Sequence, residues 1–195
     1  MTNKDIAHRF SDLAAIMELH GENPFKIRSY QNAYITLRKL DKPLSDMPRA
    51  EMDAIKGVGK AIGDKIQELL TTNDLQTYRK YADVTPAGVV EMLGIKGFGP
   101  KKVLAVWQDL GIETVGELLY ACNENRLIEL HGFGKKTQEE IRKSTEYFLK
   151  SRGKLHFAAA EELADSVIHG LRDLKIADLT IEKVGELRQI GRAHV

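Results

Sequence analysis

Ile55-Lys56-Gly57-Val58-Gly59-Lys60, Ile95-Lys96-Gly97-Phe98-Gly99-Pro100-Lys101-Lys102 and Leu130-His131-Gly132-Phe133-Gly134-Lys135-Lys136 are three versions of one phrase. Each reads apolar residue, spacer, Gly-apolar-Gly, then a lysine-bearing helical segment, and the copies lie about forty and about thirty-five residues apart. Glycines at both ends of a tight connection tolerate positive φ, and without a Cβ they let another backbone come close. The helix that follows offers amides with no partner of their own and the positive end of its dipole. A corner of that kind suits a phosphate group. One Gly-apolar-Gly could equally be a C-cap glycine followed by the next helix. Three in register argue for a repeated binding device.

Each corner follows a short apolar-periodic stretch, at 52–55, 89–93 and 127–130, so the unit reads helix, hairpin, helix. It resembles the helix-hairpin-helix motif. That resemblance implies a sequence-independent grip on the sugar-phosphate backbone of DNA. The grip would be made by Gly57, Val58, Gly59 and Lys60 in the first copy, by Gly97, Phe98, Gly99, Lys101 and Lys102 in the second, and by Gly132, Phe133, Gly134, Lys135 and Lys136 in the third. It also implies a monovalent cation, Na⁺ or K⁺, at hairpin carbonyls, those of Ile55, Val58, Leu93, Ile95 and Phe98 being the candidates.

With 195 residues and 43% hydrophobic content the chain can build one or two small domains with real cores. A formal net charge of +1 does not by itself call for nucleic acid, so the case rests on where the charges sit. They gather at the hairpins: Lys56, Lys60 and Lys65 around the first, Lys96, Lys101 and Lys102 around the second, Lys135, Lys136, Arg142 and Lys143 around the third. The bland alternative for any one of them is a solvated helix face of mixed charge, as Glu139 and Glu140 illustrate. Cys122 stands alone, which excludes an internal disulfide and any four-cysteine metal cluster; it is expected as a core thiol on a helix. No apolar run of about 18 residues and no charged-then-apolar leader occurs, so a cytoplasmic protein without a membrane partner is expected; a monomer is expected as well.

Ile6, Phe10, Leu13, Ala14, Ile16 and Met17 recur at helical spacing over 5–19, and His20-Gly21-Glu22-Asn23-Pro24 breaks the pattern. A second amphipathic helix over 25–40 directs Phe25, Ile27, Tyr30, Ala33, Tyr34 and Leu37 to a core. Pro48 opens a short helix into the first hairpin, and a helix over 60–70 ends at Thr71-Thr72-Asn73-Asp74, polar side chains able to cap the next helix over 75–81. Helical segments at 101–110, 114–122, 124–130 and 135–149 make a second all-α unit. After residue 152 come an Ala-rich helix over 158–171 and an alternating, strand-like run over 179–184.

The order of parts carries a more specific likeness. Asn23-Pro24-Phe25-Lys26-Ile27-Arg28-Ser29-Tyr30-Gln31-Asn32-Ala33-Tyr34, a first hairpin with Lys65, two further hairpins and then Val184-Gly185-Glu186-Leu187-Arg188 together resemble the N-terminal portion of a bacterial family X DNA polymerase over residues 4–188. The resemblance implies a mainly α chain in four parts. Residues 1–84 would be a helical lyase-like domain with the first hairpin, binding the 5′ side of a gapped or nicked duplex. Residues 85–152 would be the helical domain with two hairpins, holding the primer-side duplex, and 153–188 the truncated α+β start of a nucleotidyltransferase palm, with Gly185 and Arg188 at its nucleotide-binding strand. Residues 189–195 read as a non-native tail, since Ile190-Gly191-Arg192-Ala193-His194-Val195 is what one frame of a sequencing adapter encodes.

Position by position, the resemblance matches Lys65 to a Schiff-base nucleophile that attacks the C1′ aldehyde of a 5′-deoxyribose phosphate, with Asp64 beside it, Tyr34 in its pocket and Lys60 on the phosphate. Such an amine must be unprotonated to react. Ala61 departs from the pattern, standing where lyase-active relatives carry a phosphate-binding lysine. Polymerase chemistry needs carboxylates converging on a pair of Mg²⁺ ions, and no Asp-x-Asp follows Gly185-Glu186-Leu187-Arg188, where Glu186 replaces the usual serine. This polypeptide is therefore expected not to transfer nucleotides, while Mg²⁺ is expected for the full-length polymerase of a gap-filling repair pathway. The competing readings are a free-standing deoxyribose-phosphate or abasic-site lyase using Lys65, and a scaffold module that keeps the hairpins only for its fold. A hairpin-bearing glycosylase fits poorly, because Asp109 lies too close to Gly97 and the cysteines for its cluster are missing.

Overall fold

The computed structural model describes residues 1–151 together with residues 166 and 168. Helix α1 (Asn3–Leu19) starts in a reciprocal capping box, the Thr2 hydroxyl accepting from the Asp5 amide while the Asp5 carboxylate accepts from the Thr2 amide. Its apolar positions repeat every three to four residues and bury Ile6, Phe10, Leu13 and Met17 completely. Gly21, at φ 66°, closes the turn, and Asn23 caps α2 (Pro24–Leu37) by accepting from the Phe25 amide. Helix α2 lays Ile27, Tyr30, Ala33 and Leu37 against α1, whereas Phe25 is 82% exposed, outside the core where the periodicity had placed it. Phe25 sits at the helix mouth, and the inward stripe starts only at Ile27.

After a 3-10 turn (Leu44–Asp46), α3 (Arg49–Asp53) leads through the first hairpin into α4 (Lys60–Thr72), and α5 (Gln76–Ala82) follows. The Thr71-Thr72-Asn73-Asp74 run does not cap α5 through its side chains as expected. The hydroxyls of Thr71 and Thr72 donate back to carbonyls of Gln67 and Glu68, which extends α4 to Thr72, and Asn73 closes it in the left-handed region at φ 58°. The Glu68 carboxylate instead accepts from the Gln76 amide at 2.7 Å.

Helix α6 (Ala87–Met92) passes through the second hairpin into α7 (Pro100–Leu110); α8 (Val115–Asn123) and α9 (Lys135–Ser151) flank the third. A capping box between Thr114 and Glu117 starts α8. The helix expected over 124–130 shrinks to a 3-10 turn (Leu127–Glu129), because Asn125 adopts a left-handed φ of 56° just after α8.

Residues Met1–Leu149 form one compact unit with two apolar clusters. One gathers buried residues between Ile6 and Leu75, the other Leu19 with residues from Val89 to Ile141. The clusters interlock: Leu19 of α1 belongs to the second, Val90 and Leu93 pack on the first, and α1 also lies against α7. Cys122 is buried on α8 as a free thiol, and burial pushes its pKa up to about 11. Among the described residues the secondary structure is helical, with no strand. The strand expected over 179–184, the palm start at 153–188 with Gly185 and Arg188, and the tail at 189–195 lie outside the described residues, apart from Ser166 and Ile168, which are helical.

Candidate nucleic-acid interface

The three Gly-apolar-Gly corners adopt one backbone. Gly57, Gly97 and Gly132 have φ of 87°, 78° and 83°, a region that side-chain-bearing residues rarely enter. The apolar residue between the glycines turns inward, leaving Val58 at 2%, Phe98 at 1% and Phe133 at 7% exposure. Its amide donates to the carbonyl three residues back: Val58 to Ile55 at 2.8 Å, Phe98 to Ile95 and Phe133 to Leu130 at 3.1 Å. The second glycine behaves differently from the expectation of positive φ at both ends. Gly59 and Gly99 are extended N-caps with φ of −83° and −74°, and a Cβ built on Gly59, Gly99 or Gly134 would meet nothing within 4 Å. The first glycine is required by the bend, while the second leaves open space in front of the helix.

The helix starts differ in how they are capped. Where α1, α2 and α8 begin, a Thr or Asn side chain accepts from first-turn amides. At α4 and α7 the cap is glycine and no side chain serves it; the short helices α3 and α6, with proline caps, also start without a side-chain cap. The Lys60 and Ala61 amides of α4 and the Lys101 amide of α7, whose first residue Pro100 has none, therefore face outward with the positive dipole ends toward any acceptor that arrives. Lys56, Lys60, Lys96, Lys101, Lys135 and Lys136 are exposed around the three corners. Lys102 differs, being half-buried with its ammonium donating to the Gly97 carbonyl at 3.3 Å.

Residues 1–75 match the family described as a helix-hairpin-helix domain, and residues 89–145 match the SAM-like helix-hairpin-helix tandem. Over 141 residues, 72% of this chain, the sequence is 33% identical to the DNA polymerase/3′-5′ exonuclease PolX of Bacillus subtilis strain 168. The chain resembles the N-terminal portion of a family X DNA polymerase. The match takes in 24% of the relative, so the chain spans about a quarter of the length of the protein it matches.

Within this helix-hairpin-helix frame the first hairpin is fastened by Arg49, a residue the sequence did not single out. Its guanidinium bonds Asp53 on its own helix at 2.9 Å, Asp64 at 2.7 Å and the Lys60 carbonyl at 2.9 Å, so it ties α3 to the first turns of α4. The Asp64 and Asp53 carboxylates hold its pKa above the ordinary guanidinium value. An Arg at the start of α3 with acids at 53 and 64 was the available signal. The i,i+4 spacing announces the contact with Asp53, and no spacing announces the one with Asp64.

The three side chains matched to lyase chemistry are each held by a different partner. Lys65 is half-buried and donates to the Thr77 hydroxyl on α5 at 2.7 Å. Asp64 is turned to Arg49 with its side chain 59% exposed. The Tyr34 hydroxyl accepts from Arg38 at 2.9 Å; the Arg38 guanidinium carbon lies 5.2 Å from the centre of the Tyr34 ring, and His8 lies 5.6 Å from it on the α1 side. The second and third hairpin regions do come together: Lys96, Gly97 and Lys102 share a cavity of about 290 Å³ with Thr137, Glu140 and Ser144 of α9. On the same helix Arg142 pulls the Glu139 carboxyl down to about 2 by direct hydrogen bonding. Among the described residues no helix is long and apolar enough to cross a membrane.

Proposed function

We propose that this chain holds DNA by its sugar-phosphate backbone, without reading base sequence, as the N-terminal region of a family X DNA polymerase that works on gapped or nicked duplex in repair. The observation that carries the reading is the repeated corner: two uncapped helix N-termini behind glycines with open space, ringed by exposed lysines. Backbone amides and lysine ammoniums recognise phosphates, which every sequence shares. The similarity to a named DNA polymerase over 141 residues supports the same partner. Hairpin carbonyls, those of Ile55 and Val58 in the first hairpin and of Leu93, Ile95 and Phe98 in the second, are oxygen donors of the kind that Na⁺ or K⁺ takes. Ile55 and Ile95 each accept one amide and keep a second lone pair for such an ion. The ion would add positive charge beside a bound phosphate.

The test is binding of labelled gapped duplex across a salt series with unrelated duplexes as competitors. Contact with one phosphate per hairpin gives log K falling with log salt at a slope of about −3 or steeper. Equal competition by unrelated sequences is expected; strong preference for one duplex sequence would overturn the backbone grip.

A second reading, lyase activity through Lys65, has one observation in its favour: this lysine is drawn partly out of solvent against a neutral hydroxyl, while Lys60 stands free. Borohydride trapping on 5′-deoxyribose-phosphate DNA decides it. Loss of the adduct in Lys65→Ala with gap affinity retained supports the reading, and no adduct from the wild-type chain at concentrations where it binds the gap rejects it.

A further inference from the structure

Helix α2 carries a second stripe that its core does not use. Ile27, Tyr30, Ala33 and Leu37 face inward, while Asn32, Ile35 and Thr36 recur at helical spacing on another face, continued by Lys39 in the turn that follows the helix. These four, with Leu40, line a cleft of about 520 Å³ whose opposite wall is Lys56 and Gly57 of the first hairpin. The volume lies within the range of about 300 to 1,000 Å³ that small-molecule sites occupy. The walls are close: a Cβ on Gly57 would stand 3.8 Å from the Thr36 hydroxyl. Ile35 is 48% exposed, an aliphatic surface in a cleft that Lys39 lines from one wall and Lys56 from the other.

We infer that this cleft holds one unpaired nucleotide of the DNA, its base laid against Ile35 and its phosphate between Lys39 and Lys56. The inference rests on the backbone-grip reading above, since the cleft and the phosphate corner share Gly57 and are continuous. That continuity and the two lysines select a nucleotide over an apolar peptide. A base has a flat apolar face for Ile35 and polar edges for Asn32 and Thr36, while its phosphate answers the cations. A paired base cannot enter, because its faces are stacked and its edges engaged; the occupant is a nucleotide displaced from the helix at a flap, bulge or gap margin. The cleft contains none of Tyr34, Asp64 or Lys65, so it is separate from the residues matched to lyase chemistry.

Binding of a duplex with a single extrahelical 2-aminopurine nucleotide, compared with the same duplex fully paired, tests this. The wild-type chain is expected to favour the bulged duplex by roughly tenfold, with a rise in 2-aminopurine fluorescence as the base leaves its stacked neighbours. Ile35→Glu puts a carboxylate where the base would rest. It should erase the preference and the fluorescence change while the affinity for paired duplex stays within about twofold. Ile35→Ala, conservative for the fold, should lose part of the preference. Equal wild-type affinity for the two duplexes overturns the inference and leaves the backbone grip standing. A preference undiminished by Ile35→Glu places the unpaired base elsewhere and overturns it too. Failure to bind either duplex would remove the grip and the inference together.

Discussion

Exchanging the two glycines of the second hairpin separates bend from clearance. Gly97 sits at φ 78°, so Gly97→Val forces a β-branched residue into a left-handed conformation that costs about 1 to 3 kcal/mol. For a unit of this size about 2 kcal/mol corresponds to a melting temperature lowered by roughly 4 to 8 °C. Gly99 has an ordinary φ of −74° at an N-cap, and its missing Cβ faces open space. Gly99→Thr therefore brings no strain, and threonine caps a helix about as well as glycine, so the melt should move by no more than about 2 °C. The threonine hydroxyl would, however, accept from the leading amides of α7 and stand where a phosphate would come. Losing that charge-assisted contact is worth about 2 kcal/mol, or roughly thirtyfold in affinity. Thermal melting monitored by circular dichroism and fluorescence anisotropy with a labelled gapped duplex at one fixed salt concentration read the two effects. Gly99→Thr binding as tightly as wild type would refute the amide-to-phosphate contact. Gly97→Val melting with wild type would refute the requirement for positive φ.

Phe98→Ala removes a side chain that is 1% exposed and should cost about 3 to 5 kcal/mol, seen as an earlier urea midpoint. Arg49→Met should loosen the first hairpin modestly, since this side chain is only partly shielded; amide exchange at the start of α4 would speed up, and unchanged exchange would deny its clamping role. The Tyr81 hydroxyl donates to the Glu22 carboxylate, and burial with that bond lifts its pKa to about 12 from an ordinary 10. A raised folded-state pKa stabilises fully below pH 10 and fades as pH climbs toward 12. Stability should thus fall across that window in the wild type relative to Tyr81→Phe, by urea titration at each pH. Cys122, with its thiol pushed up to about 11, should resist iodoacetamide at neutral pH until the chain is unfolded; rapid labelling of the native chain would contradict its burial.

The hairpins were legible because Gly-apolar-Gly constrains backbone and clearance together, and repetition removed the ambiguity of a single copy. Helices α1 and α2 were legible because the apolar periodicity breaks at Gly21 and restarts behind Pro24, residues that act locally. What escaped depends on partners distant in sequence. The cap of α5 comes from Glu68 across eight residues, where a run of Thr, Thr, Asn and Asp beside it offered a plausible but unused cap. The third motif lost its first helix to one left-handed residue, Asn125, and asparagine tolerates both helical and left-handed backbone. Arg49 reads as one more surface cation until α3 and α4 are docked. Ile35 was passed over because an apolar residue outside the core stripe carries no periodic signal of its own.

Because Leu19 closes a cluster whose last member is Ile141, and α1 lies against α7, the order of synthesis runs against the order of enclosure. Helix α1 leaves the ribosome first and can pair at once with α2, but its contact with α7 waits until about ninety further residues, to Leu110, have been translated. At about 5 to 20 residues per second that is several seconds or more without that contact. The nascent chain therefore passes through a half-built state in which its earliest helix still lacks a roof, a window in which chaperone binding or misassociation would act on that one segment.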